Sequence, residues 1–175
     1  MDSMLVVCYS ETGVARQVAQ QLCAGHGWPL GELRDLRDEA PVPHPVREVV
    51  DSLLLRRAPI DYEGPPPGDF RTVVLVTGMK AGHLPAAMRS FLLQHHDDLR
   101  RVAIVSILKC EEAVSAVAEA TRLLEHAPIH NATFTAAEVE DGRAAAGIAA
   151  FGEFLQPRSS AAQLRAPRAR VQPAG

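Results

Sequence analysis

Lysine is almost absent from this chain of 175 residues: of its 18 basic residues only Lys80 and Lys109 are lysines, and the rest are arginines. Cysteine is nearly as scarce, and the three present, Cys8, Cys23 and Cys110, are an odd number without metal-type spacing. That excludes a disulfide framework and predicts free thiols in a reducing compartment, the cytoplasm. No apolar run is long enough to cross a bilayer, and Met1-Asp2-Ser3-Met4 is not basic, so neither a membrane span nor a signal peptide is expected. Tryptophan occurs once, at Trp28, where core packing is the expected role. Acid is missing from the last stretch: Gln156 to Gly175 carries Arg158, Arg165, Arg168 and Arg170, a charge of +4. The chain's net charge of −3 therefore leaves −7 on residues 1–155. An acidic body excludes nucleic acid as the main partner, and membrane is not expected either. The basic end, rich in Ala, Pro and Ser without an apolar face, is expected to be disordered beyond a single domain, 1–155.

What remains is rich in short apolar runs that alternate with amphipathic stretches, the pattern of a parallel sheet covered by helices on both faces. Strands are predicted at Met4 to Tyr9, Pro29 to Leu33, Thr72 to Thr77, Arg101 to Ile107 and Ala132 to Ala136. Helices are predicted from Gly13 to Ala24, His44 to Arg57, Pro85 to His95, Glu111 to His126 and Arg143 to Leu155. Gly25 and Gly27 stop the first, and Pro59 follows the second. Asp61 to Gly68, with three consecutive prolines, reads as a loop.

The first strand runs directly into Ser10-Glu11-Thr12-Gly13-Val14-Ala15 and then a helix. The opening turn of a helix has N–H groups without intrahelical partners and the positive end of the helix dipole, so it seats an anion. Ser10 and Thr12 add hydroxyls, and Gly13 permits close backbone approach.

These residues resemble the flavodoxin-like family, whose first loop reads Ser/Thr-x-Thr-Gly-x-Thr/Ala and holds the phosphate of FMN. A second stretch is similar as well: the strand ending at Thr77, the loop Gly78-Met79-Lys80-Ala81-Gly82-His83-Leu84-Pro85, and the helix beginning around Met88-Arg89-Ser90-Phe91-Leu92. The resemblance implies an α/β, doubly wound, five-stranded parallel sheet of order 2-1-3-4-5, with the ligand at the carboxyl ends of its first and third strands. It implies FMN as cofactor, held by Ser10, Glu11, Thr12, Gly13, Val14 and Ala15, by Thr77, Gly78, Met79, Lys80, Ala81 and Gly82, and by Ser106, Ile107, Leu108 and Lys109. It also implies a redox role, in electron transfer with a partner protein or as a small flavin-dependent oxidoreductase. Two loops depart from the family pattern. Met79-Lys80 stands where relatives often carry an aromatic that stacks on the flavin, and Leu108-Lys109-Cys110-Glu111-Glu112 replaces a Gly-Gly loop. A non-flavin module of the same fold, binding another anion or a protein, is therefore the alternative.

Both lysines fall just past strand ends that face this crevice. Beside a flavin, such an ammonium favours the anionic reduced form: unit charges ~4 Å apart interact by roughly 4 kcal/mol at an effective dielectric near 20. Glu11, inside the seat, is expected to pair with Arg16. His95-His96 with Asp97-Asp98 reads as a solvated helix end and not a metal site. His83 reads as a surface histidine. Tyr62, in the proline-rich loop, is a candidate to fold over the crevice. No catalytic or metal-ligating residue stands out.

Overall fold

The computed structural model describes residues 3–36, 58–109 and 115–156. The predicted helix from His44 to Arg57, the start of the one from Glu111, and the arginine-rich end lie outside them. In chain order the elements are β1 (Met4–Tyr9), α1 (Val14–His26), β2 (Leu30–Asp35), β3 (Ile60–Glu63), a 3-10 turn (Pro67–Asp69), β4 (Thr72–Gly78), α2 (Ala86–Gln94), β5 (Val102–Leu108), α3 (Ala116–Leu124), β6 (His130–Thr135), α4 (Ala136–Glu140) and α5 (Ala145–Leu155).

One mixed sheet orders its strands β3-β2-β1-β4-β5-β6. This corrects the expected five-stranded sheet: among the described residues there are six strands, and the order is changed by an added edge strand. The addition is β3, antiparallel to β2 with Leu33 opposite Tyr62, in a segment whose prolines suggested a loop. The prolines begin only at Pro65, after the strand. Ile60-Asp61-Tyr62-Glu63 alternates inward and outward, which suits an edge with one covered face. All other neighbouring pairs, β1 with β2 and β4, β4 with β5, and β5 with β6, are parallel.

The central strands β1, β4 and β5 are buried almost throughout, as continuous apolar runs in a parallel sheet must be. Their alternate side chains enter two cores. Leu5, Val7 and Tyr9 face α2 and α3 through Leu84, Met88, Phe91, Leu92 and Ala120. Met4, Val6 and Cys8 face α1 and α5 through Val18, Leu22, Ile148 and Phe151. The chain therefore leaves β1 toward one face and β4 toward the other, although the two strands are neighbours. Such a divergence opens a crevice at their carboxyl ends.

Local chemistry sets the helix ends. Gly27, at φ 69°, closes α1 by donating its N–H to Cys23 at 2.8 Å. In α2 the motif Arg89-Ser90-Phe91-Leu92 proves structural: Arg89 is buried with Nη1 donating to the Leu84 carbonyl, Ser90 Oγ accepts the Ala58 N–H at 2.8 Å, and Phe91 and Leu92 are core. The predicted last strand ends one residue early because Thr135 starts α4 with a reciprocal capping box: its Oγ1 accepts from the Glu138 N–H, while its own N–H donates to Glu138 Oε2 at 2.8 Å. The same bonds hold the Glu138 carboxyl below the usual range. No described helix is long and apolar enough to cross a membrane.

Candidate functional site

The crevice at the carboxyl ends of β1, β4 and β5 is lined by Ser10, Glu11, Thr12 and Ala15, by Gly78, Met79 and Lys80, and by Ile107, Leu108 and Lys109, all singled out from the sequence. Tyr9 and Ala136 complete it and were missed. Ala136 arrives with α4, whose Thr135-x-x-Glu138 signature was readable. The other candidates stand close behind. Gly13 caps α1 and Val14 opens it, Thr77 and Ser106 are buried within their strands, and Ala81 and Gly82 form a turn beyond Lys80.

The first wall is the β1–α1 loop. Gly13 adopts φ 87°, a left-handed value that a residue with a Cβ adopts only under strain, and this turns the chain from strand into helix. Its N–H donates to Ser10 Oγ at 3.0 Å, which draws the loop into a closed cup. Among the described residues no protein acceptor takes the N–H groups of Thr12, Val14 or Ala15 or the Thr12 hydroxyl. They converge at the positive end of a helix of 13 residues.

Glu11 does not pair with Arg16. Arg16 leans along α1 onto β2 and meets Glu32 at 3.0 Å. Glu11 Oε1 instead accepts the Tyr9 hydroxyl at 2.8 Å and stands 2.5 Å from Lys80 Nζ. One carboxylate oxygen thus joins the first wall to the second, so Lys80 does not present an uncompensated charge. Lys109 is exposed, and among the described residues no carboxylate pairs with it.

The second wall is a tight turn. Lys80 and His83 exchange both backbone bonds, at 3.0 and 2.9 Å, and the two residues between them have positive φ, 49° at Ala81 and 76° at Gly82. This is the primed geometry of two-residue hairpins, in which alanine at the first position is strained. Ser115 fastens the turn to α3, giving its N–H and its Oγ to the Gly82 carbonyl, both at 2.9 Å. His83 Nδ1 lies 2.6 Å from Glu119 Oε1 and 3.0 Å from Ser115 Oγ, so the histidine is a tie between turn and helix. Serine and carboxylate meet the same ring nitrogen, which is not the relay of a nucleophilic triad.

Met79 donates its N–H to the Ile107 carbonyl at 2.8 Å, and its side chain, 5% exposed, belongs to the core. Tyr9 is 4% exposed. The crevice therefore has apolar walls at Met79, Ile107, Leu108 and Ala136, with no exposed aromatic platform among the described residues. Tyr62 supplies none, because it packs under the sheet edge against Phe91 and His95, with ring centroids 5.3 and 6.1 Å apart. His95 is accordingly part of that ring cluster, and no group of three or more metal-ligating side chains occurs among the described residues. Trp28 packs on the core as expected, stacked with His26 at 4.5 Å.

No family model and no curated protein matches the chain by sequence. Solved structures do match in fold. A flavoprotein of Lactobacillus acidophilus NCFM, crystallised in complex with FMN, superposes with a TM-score of 0.66 at 13% identity, covering 81% of this chain and 98% of its own. A protein of Bacteroides eggerthii DSM 20697 assigned to the flavoproteins gives 0.65 at 13% identity, over 80% and 94% of the two chains. A flavone reductase gives 0.54 at 13% identity, over 97% of this chain and 66% of its own. At such identities the likeness establishes a shared α/β fold.

Proposed function

We propose that this protein is a flavodoxin-like redox protein that binds FMN in the crevice between β1, β4 and β5. The observation that carries the reading is the cup from Ser10 to Ala15. The N–H groups of Thr12, Val14 and Ala15 and the Thr12 hydroxyl lack protein acceptors among the described residues, lie at the head of a long helix, and open into a cleft with apolar walls, in a fold shared with a protein crystallised with FMN. FMN, when bound, supplies the electron and hydride chemistry.

The chain's own residues divide the binding task. The amides of Thr12, Val14 and Ala15, with the hydroxyls of Ser10 and Thr12, fit a phosphate. Met79, Ile107, Leu108 and Ala136 exclude water from an apolar ring. Lys109 favours negative charge arriving in the crevice, whereas the charge of Lys80 is offset by Glu11. Electrons would pass to a partner protein or a small substrate at the open mouth. The missing aromatic platform favours the second reading, a module of the same fold that binds a different phosphorylated anion.

The visible spectrum of the purified protein and a titration with FMN decide between them. The flavin reading predicts a yellow protein, or saturable quenching of FMN fluorescence when cofactor is added. A colourless protein that stays unsaturated at high FMN overturns it.

A further inference from the structure

A carboxylate inside an anion seat opposes the anion it is meant to receive. Glu11 occupies that position, and its Oε1 is shared by two donors with different freedom. The Tyr9 hydroxyl, at 2.8 Å, belongs to a ring that is 4% exposed and fixed by the core. The Lys80 ammonium, at 2.5 Å, stands on a flexible stem, and the side chains of Lys80 and Glu11 are 29% and 36% exposed. An ion pair this open to water contributes little stability, so it opens cheaply. A phosphate monoester carries a charge of about −1.5 to −2 at neutral pH against −1 for a carboxylate, so it draws the ammonium more strongly. Glu11 and Lys80 both line the crevice beside Ser10 and Thr12.

We propose that Glu11 and Lys80 form an exchangeable latch across the crevice. When a phosphate monoester enters the cup, Lys80 Nζ leaves Glu11 for a phosphate oxygen, and Glu11 keeps only the Tyr9 hydroxyl. The carboxylate thereby limits how tightly a phosphorylated ligand is held and makes it exchangeable, and Lys80 distinguishes a phosphorylated ligand from its dephosphorylated counterpart. This inference rests on the cup being a phosphate seat, as the proposed function has it.

Four proteins test it: the native chain, Glu11→Gln, Lys80→Met and the double variant, each titrated with FMN and with riboflavin by flavin fluorescence. Glutamine still accepts the Tyr9 hydroxyl but carries no charge. The latch predicts that Glu11→Gln tightens FMN roughly five- to tenfold and leaves riboflavin unchanged. It also predicts that the double variant binds FMN no more tightly than the native chain. If the double variant keeps the full gain, Lys80 does not reach the phosphate and the latch is overturned. Equal weakening of FMN and riboflavin by Glu11→Gln would make Glu11 a structural clamp only and would also overturn it. Should the native chain fail to bind FMN, the same four proteins are titrated with inorganic phosphate, read from the amide NMR shifts of Val14 and Ala15. The same ranking there supports the latch while the flavin reading falls; no gain with Glu11→Gln overturns the latch.

Discussion

Replacing Gly31 by alanine isolates the edge strand that composition concealed. A Cβ at Gly31 would collide with Tyr62 Oη and lie 2.6 Å from Cε2 and 2.8 Å from Cζ, and one at Gly64 would lie 2.6 Å from Gly31 Cα. The phenol ring is thus seated against backbone that only glycine leaves open. It cannot yield freely, because its hydroxyl donates to the Pro65 carbonyl at 2.7 Å and its face meets Phe91 at 5.3 Å. Overpacking of this kind costs about 1–3 kcal/mol. Loss of the hydroxyl bond adds about 1 kcal/mol if the ring is expelled. Alanine recovers roughly 0.5–1 kcal/mol through its lower backbone entropy. The net expectation is a destabilisation of about 1–3.5 kcal/mol, or about 2–14 °C in Tm for a chain of this size. Urea and thermal unfolding measure it directly. In a Tyr62→Ala background the obstruction is gone, and Gly31→Ala should be neutral or slightly stabilising. An equal cost in both backgrounds would refute the reasoning, as would a cost below about 0.5 kcal/mol in the native chain.

Alkaline conditions should weaken the fold in a defined window. Burial pushes the Cys8 thiol from 9.0 up to about 12, the Cys23 thiol from 9.0 to about 11, and the Tyr62 phenol from 10.0 to about 12. Each group binds its proton more tightly folded than unfolded, so its contribution is complete below the ordinary value and is lost as pH rises through the folded one. The urea midpoint should hold to about pH 9 and then fall, less steeply in Tyr62→Phe; a midpoint flat to pH 11 contradicts this. Ala81→Asn should stabilise by about 0.5–1 kcal/mol, since asparagine tolerates the left-handed region that strains alanine at φ 49°. Unfolding curves check it, and a loss of stability would show that the turn is not of this type. Thr135→Ala removes the α4 capping box and should cost about 1 kcal/mol, while Thr135→Ser should retain most of it; equal losses in both would place the effect elsewhere.

Much of the architecture was legible because continuous apolar runs have few alternatives to a sheet covered on both faces. Met4–Tyr9 matches its predicted strand residue for residue, and Thr72–Gly78 exceeds its prediction by one. The strand at Ile60–Glu63 was hidden by its neighbours: four alternating residues signal weakly beside Pro65-Pro66-Pro67, and its pairing with β2 is a tertiary fact. The crevice loops were found because they sit at strand ends, where local pattern suffices. The partners of Glu11 were not, since proximity along the chain favours Arg16, whereas Lys80 is brought to it only by the adjacency of β1 and β4. Tyr9 was read as an ordinary strand residue because its core burial is the stronger local signal. Its hydroxyl nevertheless reaches the crevice edge.

The turn from Lys80 to His83 bears on kinetics as well as shape. Closed by two backbone bonds and tied to α3 through Ser115, it has lost its conformational freedom during folding and not at the moment of encounter. A ligand meeting this wall finds it preformed, so the rearrangement left to slow capture is the motion of a side chain. Rotamer changes of exposed side chains take picoseconds to nanoseconds, far faster than a protein and a ligand find each other. Association should then be governed by diffusion and charge, and residence time by what happens within the cup.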